Sequence, residues 1–176
     1  IIGNPPYVEY NNNSSGYKLS NVYSTLSCGN LYAYVLERSY TISNSSMVGM
    51  IIPTSSISTP RMQPLQKILL SRGLYHSTYG FRPAKLFDGG TSANIHLSIV
   101  ITSSSTNEVY GLHHIKWNAE YRENLFSTLP IYTENMRSVV AQYDKISRSK
   151  SDVGKAILSK IYCKKTIENH FGVTEN

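Results

Sequence analysis

Apolar and polar residues alternate in short blocks over the first half of the chain. Residues 1–3 end an apolar stretch, and residues 47–52 form a continuous apolar run between serine and proline. Such a run is typical of a parallel strand buried on both faces. Between these runs, Asn30 is a good N-cap, and the residues after it follow helical spacing, which predicts a helix ending near Thr41. The spacing is carried by Leu31, Tyr34, Val35 and Arg38.

The following segments continue this alternation. Residues 7–29 are polar and lack periodicity, which predicts a loop, and residues 54–63 predict a second loop. A helix is expected over 64–72 with Gly73 as its stop, followed by a strand over 74–81. Residues 93–101 have apolar odd positions and mostly polar even positions, which indicates a half-exposed antiparallel strand. Residues 108–115 are either its hairpin partner or a new strand.

The pattern becomes helical from Trp117 onward, over 119–126, 135–141 and 153–162. We therefore expect residues 1–116 to form an α/β unit and residues 117–176 to form a mostly helical basic segment that serves as linker or docking surface. A chain of 176 residues suffices for one domain with a sizeable core.

Composition narrows the class of protein. No run of 18 apolar residues and no secretory signal pattern occurs, and Cys28 and Cys163 lack the spacing of a disulfide or zinc framework. We therefore expect a cytoplasmic protein without a membrane segment. The adjacent His113 and His114 would point to opposite faces of a strand, so no metal site is predicted. No activated serine, nuclease or Walker motif is present either.

The net charge of +6 is concentrated near the C-terminus. Residues 145–165 contain one acid, Asp152, and seven basic residues: Lys145, Arg148, Lys150, Lys155, Lys160, Lys164 and Lys165. Such a cluster is either an electrostatic footprint for the phosphates of double-stranded DNA or a solvated helical face. The sequence leaves both interpretations open.

The opening segment, Ile1-Ile2-Gly3-Asn4-Pro5-Pro6-Tyr7, carries the strongest chemical signal. Two prolines make the chain rigid and remove two backbone donors. What remains is an amide side chain, free carbonyl oxygens and an aromatic face. This set suits a planar ring with an exocyclic amino group, because carbonyl oxygens accept the amino hydrogens while the aromatic ring stacks on the base.

This segment resembles motif IV of the S-adenosylmethionine-dependent amino-methyltransferases of DNA, in the Asn-Pro-Pro-Tyr form typical of the adenine-N6 enzymes of restriction–modification systems. Residues 30–38 look like the next helix of that family, and residues 48–55 resemble its following core strand. Phe87 stands where the family places an aromatic residue ahead of its last hairpin. The resemblance covers residues 1–103 well and residues 104–176 only loosely.

The resemblance implies the C-terminal half of a Rossmann-like methyltransferase sheet. Asn4 and the Pro5 carbonyl would accept the N6 hydrogens of a flipped adenine, with Pro6 keeping the motif rigid. Tyr7 would stack on the base, and Phe87 would hold its other side. Tyr34 and Val35 would form part of the wall near the adenine of S-adenosyl-L-methionine.

The family's glycine-rich cofactor turn is not found among the eleven glycines. We therefore expect an upstream cofactor-binding half of the same protein as a partner. Alone, this chain is expected to bind the cofactor very weakly and not to methylate DNA. We expect either self-association through an open strand edge or a catalytically silent fragment. The alternative function is a non-catalytic DNA-binding or subunit-interaction fragment of a restriction–modification protein.

Overall fold

The computed structural model describes residues 1–11, 16–43, 47–80, 95–116, 135–137, 156–157, 160–161 and 164. In this part of the chain five strands form one mixed sheet in the order β1-β2-β4-β3-β5. The strands are β1 (Ile2–Gly3), β2 (Val48–Pro53), β3 (Gly73–Gly80), β4 (Leu97–Ser103) and β5 (Val109–Lys116). The α/β class predicted from the sequence is thereby confirmed.

The pairing pattern determines which strand ends meet. β1 runs parallel to β2, and β3 runs parallel to β5, whereas β4 lies between β2 and β3 and is antiparallel to both. The antiparallel strand predicted for residues 93–101 is therefore present as β4. Because β5 pairs with β3 and not with β4, the second alternative for residues 108–115, a new strand, is the observed one. This arrangement is compatible with a Rossmann-like sheet.

The helices connect the first three strands. They are α1 (Leu31–Ser43), α2 (Ser55–Ser58) and α3 (Gln63–Leu70), together with two 3₁₀ helices, Ser24–Cys28 and Pro60–Met62. The core lies between these helices and one face of the sheet. Its largest members from the helices are Tyr32, Leu36, Tyr40, Leu65 and Leu69, which pack against the strand residues Val48, Met50, Ile52, Leu74, Val100 and Val109.

The opposite face of the sheet is apolar but exposed. Ile2 and Met47 are 91% and 64% exposed, and Ile101 is 39% exposed. Together with Ile51 and Ile99 they line a shallow depression of about 660 Å³ beside β1. In the described part of the chain no strand pairs with the outer edge of β1. Self-association through this region stays a prediction.

Several sequence-based expectations need correction. Residues 7–29 and 54–63 are not simple loops, since the first contains a 3₁₀ helix and the second contains α2 and a 3₁₀ helix. β2 is fully buried on only one face, because Gly49 and Ile51 are half-buried. The strand predicted over 93–101 starts at Leu97. Its even positions, Ser98, Val100 and Thr102, are all buried, whereas of its apolar odd positions only Leu97 is buried, Ile99 is half-buried and Ile101 is exposed.

A short C-terminal segment is tied to the sheet. The Met136 amide donates to the Val109 carbonyl at 2.7 Å, and the Asn135 side-chain oxygen accepts from the Val109 amide at 3.0 Å. Arg137 donates to the carbonyl oxygens of Leu70, Arg72 and Asn107. Residues 135–137 thus fasten to the end of α3 and the start of β5. Within the described residues, no helix is long and apolar enough to cross a membrane.

Candidate nucleotide-base site at the end of β1

The Asn-Pro-Pro-Tyr segment begins where β1 ends. Gly3, the last residue of β1, pairs with Met50 of β2, so Asn4 emerges at the carboxyl edge of two parallel strands. In open α/β sheets, ligands bind in the crevice at this edge. Asn4 and Pro6 are exposed, whereas Pro5 is buried, so the rigid turn is anchored on one side only. The amide of Asn4 is therefore accessible to a ligand.

Tyr7 lies directly beside this amide. Its hydroxyl donates to the side-chain oxygen of Asn4 at 2.6 Å and is 3.2 Å from the carbonyl oxygen of Ile51 in β2. Burial raises the pKa of Tyr7 to about 12, so the hydroxyl keeps its proton at any physiological pH. Of the sequence-predicted site residues, the structure thus brings Asn4, Pro5, Pro6 and Tyr7 together.

Tyr32 of α1 supports Tyr7 and was not singled out from the sequence. The two rings meet edge to face, with centroids 6.4 Å apart and an interplanar angle of 84°. Tyr32 is 2% exposed and its hydroxyl is 3.5 Å from the sulfur of Met62. The signal that could have identified it is the i, i+4, i+8 repeat of Tyr32, Leu36 and Tyr40, which forms the buried stripe of α1.

Backbone hydrogen bonds join the residues that follow the motif to the residues at the start of α1. The Tyr10 amide donates to the Gly29 carbonyl at 3.0 Å, and the Leu31 amide donates to the Val8 carbonyl at 2.9 Å. Arg61 donates from Nε to the Cys28 carbonyl at 2.7 Å and pairs with Glu9 at 3.1 Å. The chain therefore returns to the site immediately before α1 begins.

Glu37 of α1 binds the 3₁₀ helix in the segment between the motif and α1. Its two carboxylate oxygens accept hydrogen bonds from the backbone amides and hydroxyls of Ser24 and Thr25, at 2.7–3.0 Å. Partial burial raises the pKa of Glu37, but these four bonds outweigh burial and hold the pKa below its usual range. The 3₁₀ helix Ser24–Cys28 is thereby fixed to α1.

The two residues predicted for the cofactor wall are placed differently. Tyr34 is 3% exposed, its hydroxyl donates to the Leu26 carbonyl at 2.9 Å, and its ring contacts Tyr10 and Tyr23. Val35 is 37% exposed on α1. The burial of Tyr34 does not favour a contact between its ring and a cofactor, and the assignment of both residues stays a prediction.

The remaining predicted site residues lie mostly outside the described residues. Phe87 is among these, and so are five of the seven basic residues: Lys145, Arg148, Lys150, Lys155 and Lys165. Lys160 and Lys164 are described and exposed, and Lys160 is helical. Their exposure is compatible with phosphate contact and with a solvated face alike. Among the described residues, no group of three side chains suited to metal binding occurs.

Comparison with known proteins finds a similar family and a similar fold. Residues 1–87 match the family model of the Eco57I restriction-modification methylase. No curated protein sequence matches the chain. The DrdV–DNA complex, solved by cryo-electron microscopy, superposes with a TM-score of 0.52 at 14% identity, over 76% of this chain and 17% of that one.

Two further solved structures are less similar. They are a nuclease-deletion mutant of the Type ISP restriction-modification enzyme LlaGI with a DNA substrate mimic, and the ATP-dependent Type ISP enzyme LlaBIII bound to DNA. Each has a TM-score of 0.44 and 17% identity over 65% of this chain, which is 14% of the first and 10% of the second. The chain thus spans less than a fifth of these solved chains. Residues 1–87, which include Asn4–Tyr7 and make up just under half of the chain, are therefore similar to a family of restriction-modification methylases.

Proposed function

We propose that this chain carries the catalytic motif of a DNA adenine-N6 methyltransferase that works in a restriction–modification system. The observation that carries the proposal is the cluster at the end of β1, where the exposed amide of Asn4 lies 2.6 Å from the hydroxyl of an aromatic side chain. The match to a restriction-modification methylase family supports methyl transfer to DNA. The adenine-N6 assignment rests on the motif.

The chemistry follows from the donors and acceptors of the motif. A target adenine that leaves the duplex presents an amino group with two hydrogens and a planar face. The side-chain oxygen of Asn4 and the carbonyl oxygen of Pro5 accept these hydrogens, which draws the nitrogen lone pair out of conjugation with the ring. The Tyr7 ring stacks on the base and limits its orientation. Catalysis then depends on positioning and on pre-arranged dipoles.

S-adenosyl-L-methionine supplies the methyl group in this proposal. The residues of this chain bind and orient the acceptor base, and the cofactor-binding half of the protein lies in a part of the sequence upstream of Asn4. By its resemblance to the family, Phe87 would hold the other side of the base. The basic residues between Lys145 and Lys165 would supply contacts to the phosphates of double-stranded DNA.

Methyl transfer to DNA by the full-length protein tests the proposal. Unmethylated DNA of mixed sequence and labelled S-adenosylmethionine are the substrates. Asn4→Ala is expected to lower kcat on the order of a hundredfold, because it removes a pre-arranged acceptor. Tyr7→Ala is expected to lower kcat/KM by roughly ten- to a hundredfold through lost stacking.

The matched control is Asn21→Ala, an exposed asparagine in the segment before α1. It removes the same amide away from the motif and is expected to leave both kinetic constants unchanged. Near-full activity of both Asn4→Ala and Tyr7→Ala would exclude the mechanism. A non-catalytic DNA-binding role predicts DNA binding without methyl transfer by the wild-type protein.

A further inference from the structure

The hydroxyl of Tyr7 has two possible acceptors and one proton. Asn4 Oδ1 at 2.6 Å is the nearer acceptor, and the Ile51 carbonyl oxygen at 3.2 Å also lies within hydrogen-bond reach. Ile51 lies in β2 opposite Ile99, so its carbonyl is held by the sheet. The Tyr7 ring is held by its contact with Tyr32. The Ile51 carbonyl and the Tyr7 ring thus stand at fixed positions, while the Tyr7 hydroxyl and the exposed amide of Asn4 can rotate.

The shorter bond engages the same oxygen that the proposed function assigns to adenine. While Tyr7 donates to Asn4 Oδ1, that oxygen must accept hydrogen bonds from both the tyrosine and the base. Its hydrogen bond to the base is then weaker. If the proton turns to Ile51, the oxygen of Tyr7 becomes an acceptor. The amide NH₂ of Asn4 can then donate to it, and Oδ1 faces away from Tyr7. The two arrangements differ by one hydroxyl rotation and one amide turn.

We propose that the Tyr7 hydroxyl is a positioning group that switches its proton from Asn4 to the Ile51 carbonyl when adenine enters, and thereby presents Asn4 Oδ1 to the base. This inference rests on the proposed function. It assigns to Tyr7 a second role beside stacking, carried by the hydroxyl and separable from the aromatic face. The Ile51 carbonyl is a partner that the motif itself does not contain.

Tyr7→Phe separates the two roles, because it keeps the ring and removes the hydroxyl. In the full-length protein kcat is expected to fall about two- to tenfold, the effect of one lost hydrogen bond. KM for DNA is expected to stay within about twofold of the wild-type value, because the stacking face is intact. Tyr110→Phe is the matched control, since Tyr110 of β5 donates to the Glu108 carboxylate and lies outside the motif.

A second measurement follows the free protein without turnover. The side-chain amide resonances of Asn4 are expected to shift in Tyr7→Phe and to stay unchanged in Tyr110→Phe. Unchanged Asn4 resonances in Tyr7→Phe, or a kcat equal to wild type, would overturn the switch. A rise in KM as large as that of Tyr7→Ala would also overturn it. Absence of methyl transfer by the wild-type protein would instead refute the proposed function.

Discussion

At the scale of single residues, the motif could be predicted from the sequence, but the residues that contact its tyrosine could not. The order Asn-Pro-Pro-Tyr already indicates a rigid turn with an amide and an aromatic ring, and the structure places those groups within hydrogen-bond distance of each other. Tyr32 and Ile51 were missed because they reach Tyr7 only through tertiary packing of α1 and β2. Local spacing carries no information on such contacts.

Glu37 gives a residue-scale prediction on stability. Glu37→Ala removes the acceptor of four hydrogen bonds from Ser24 and Thr25, and we expect it to lower the free energy of unfolding by about 1 kcal/mol at pH 7. The effect is small for four bonds because the site is partly solvent-exposed. Urea denaturation of the chain measures it. Glu9→Ala breaks only an exposed ion pair with Arg61 and is the control, with a smaller expected loss.

The same carboxylate predicts a pH dependence. Its pKa in the folded state is lowered, so its contribution is fully present above the pKa of the unfolded chain and is lost as pH falls through the folded-state pKa. The difference in stability between wild type and Glu37→Ala should therefore shrink below about pH 4.5, the ordinary range for glutamate. A difference that grows on acidification would contradict this assignment.

At the scale of elements, local signals predicted α1 and β2 to within two residues. Asn30 precedes the first residue of α1, and Pro53 ends β2, so both elements are delimited by residues whose preferences are local. The orientation of β4 was not predictable in this way. Its apolar odd residues suggest an inward face, yet Ser98 and Thr102 are buried through hydrogen bonds to Thr54 and Tyr40. Those partners lie more than 40 residues away.

Two neighbouring residues of β4 test its orientation. Val100 is fully buried against the helices, whereas Ile101 is 39% exposed on the opposite face. Val100→Ala is expected to lower the free energy of unfolding by about 2 kcal/mol, and Ile101→Ala by less than about 1 kcal/mol, although isoleucine loses more atoms. Urea denaturation at low protein concentration measures both. A larger loss for Ile101→Ala would show that the apolar odd face is the buried one.

At the scale of the whole molecule, the described helices contact one face of the sheet and leave an apolar face beside β1 exposed. The sequence predicted the order of elements in this α/β unit, because each element carries its own period and breakers. It could not predict that β5 joins β3, since strand neighbours depend on long-range pairing. The sequence and the structure agree on the motif, which lies at the carboxyl end of β1.

The identity of the methylated nucleoside tests the central claim most directly. DNA treated with the full-length protein and labelled S-adenosylmethionine is digested to nucleosides, which are then separated and identified by mass spectrometry. We expect the label in N6-methyldeoxyadenosine, and we expect its rate of incorporation to fall on the order of a hundredfold with Asn4→Ala and to stay unchanged with Asn21→Ala. Label in a methylated cytosine, or no label in DNA, would contradict the assignment of Asn4 and Tyr7 to a flipped adenine.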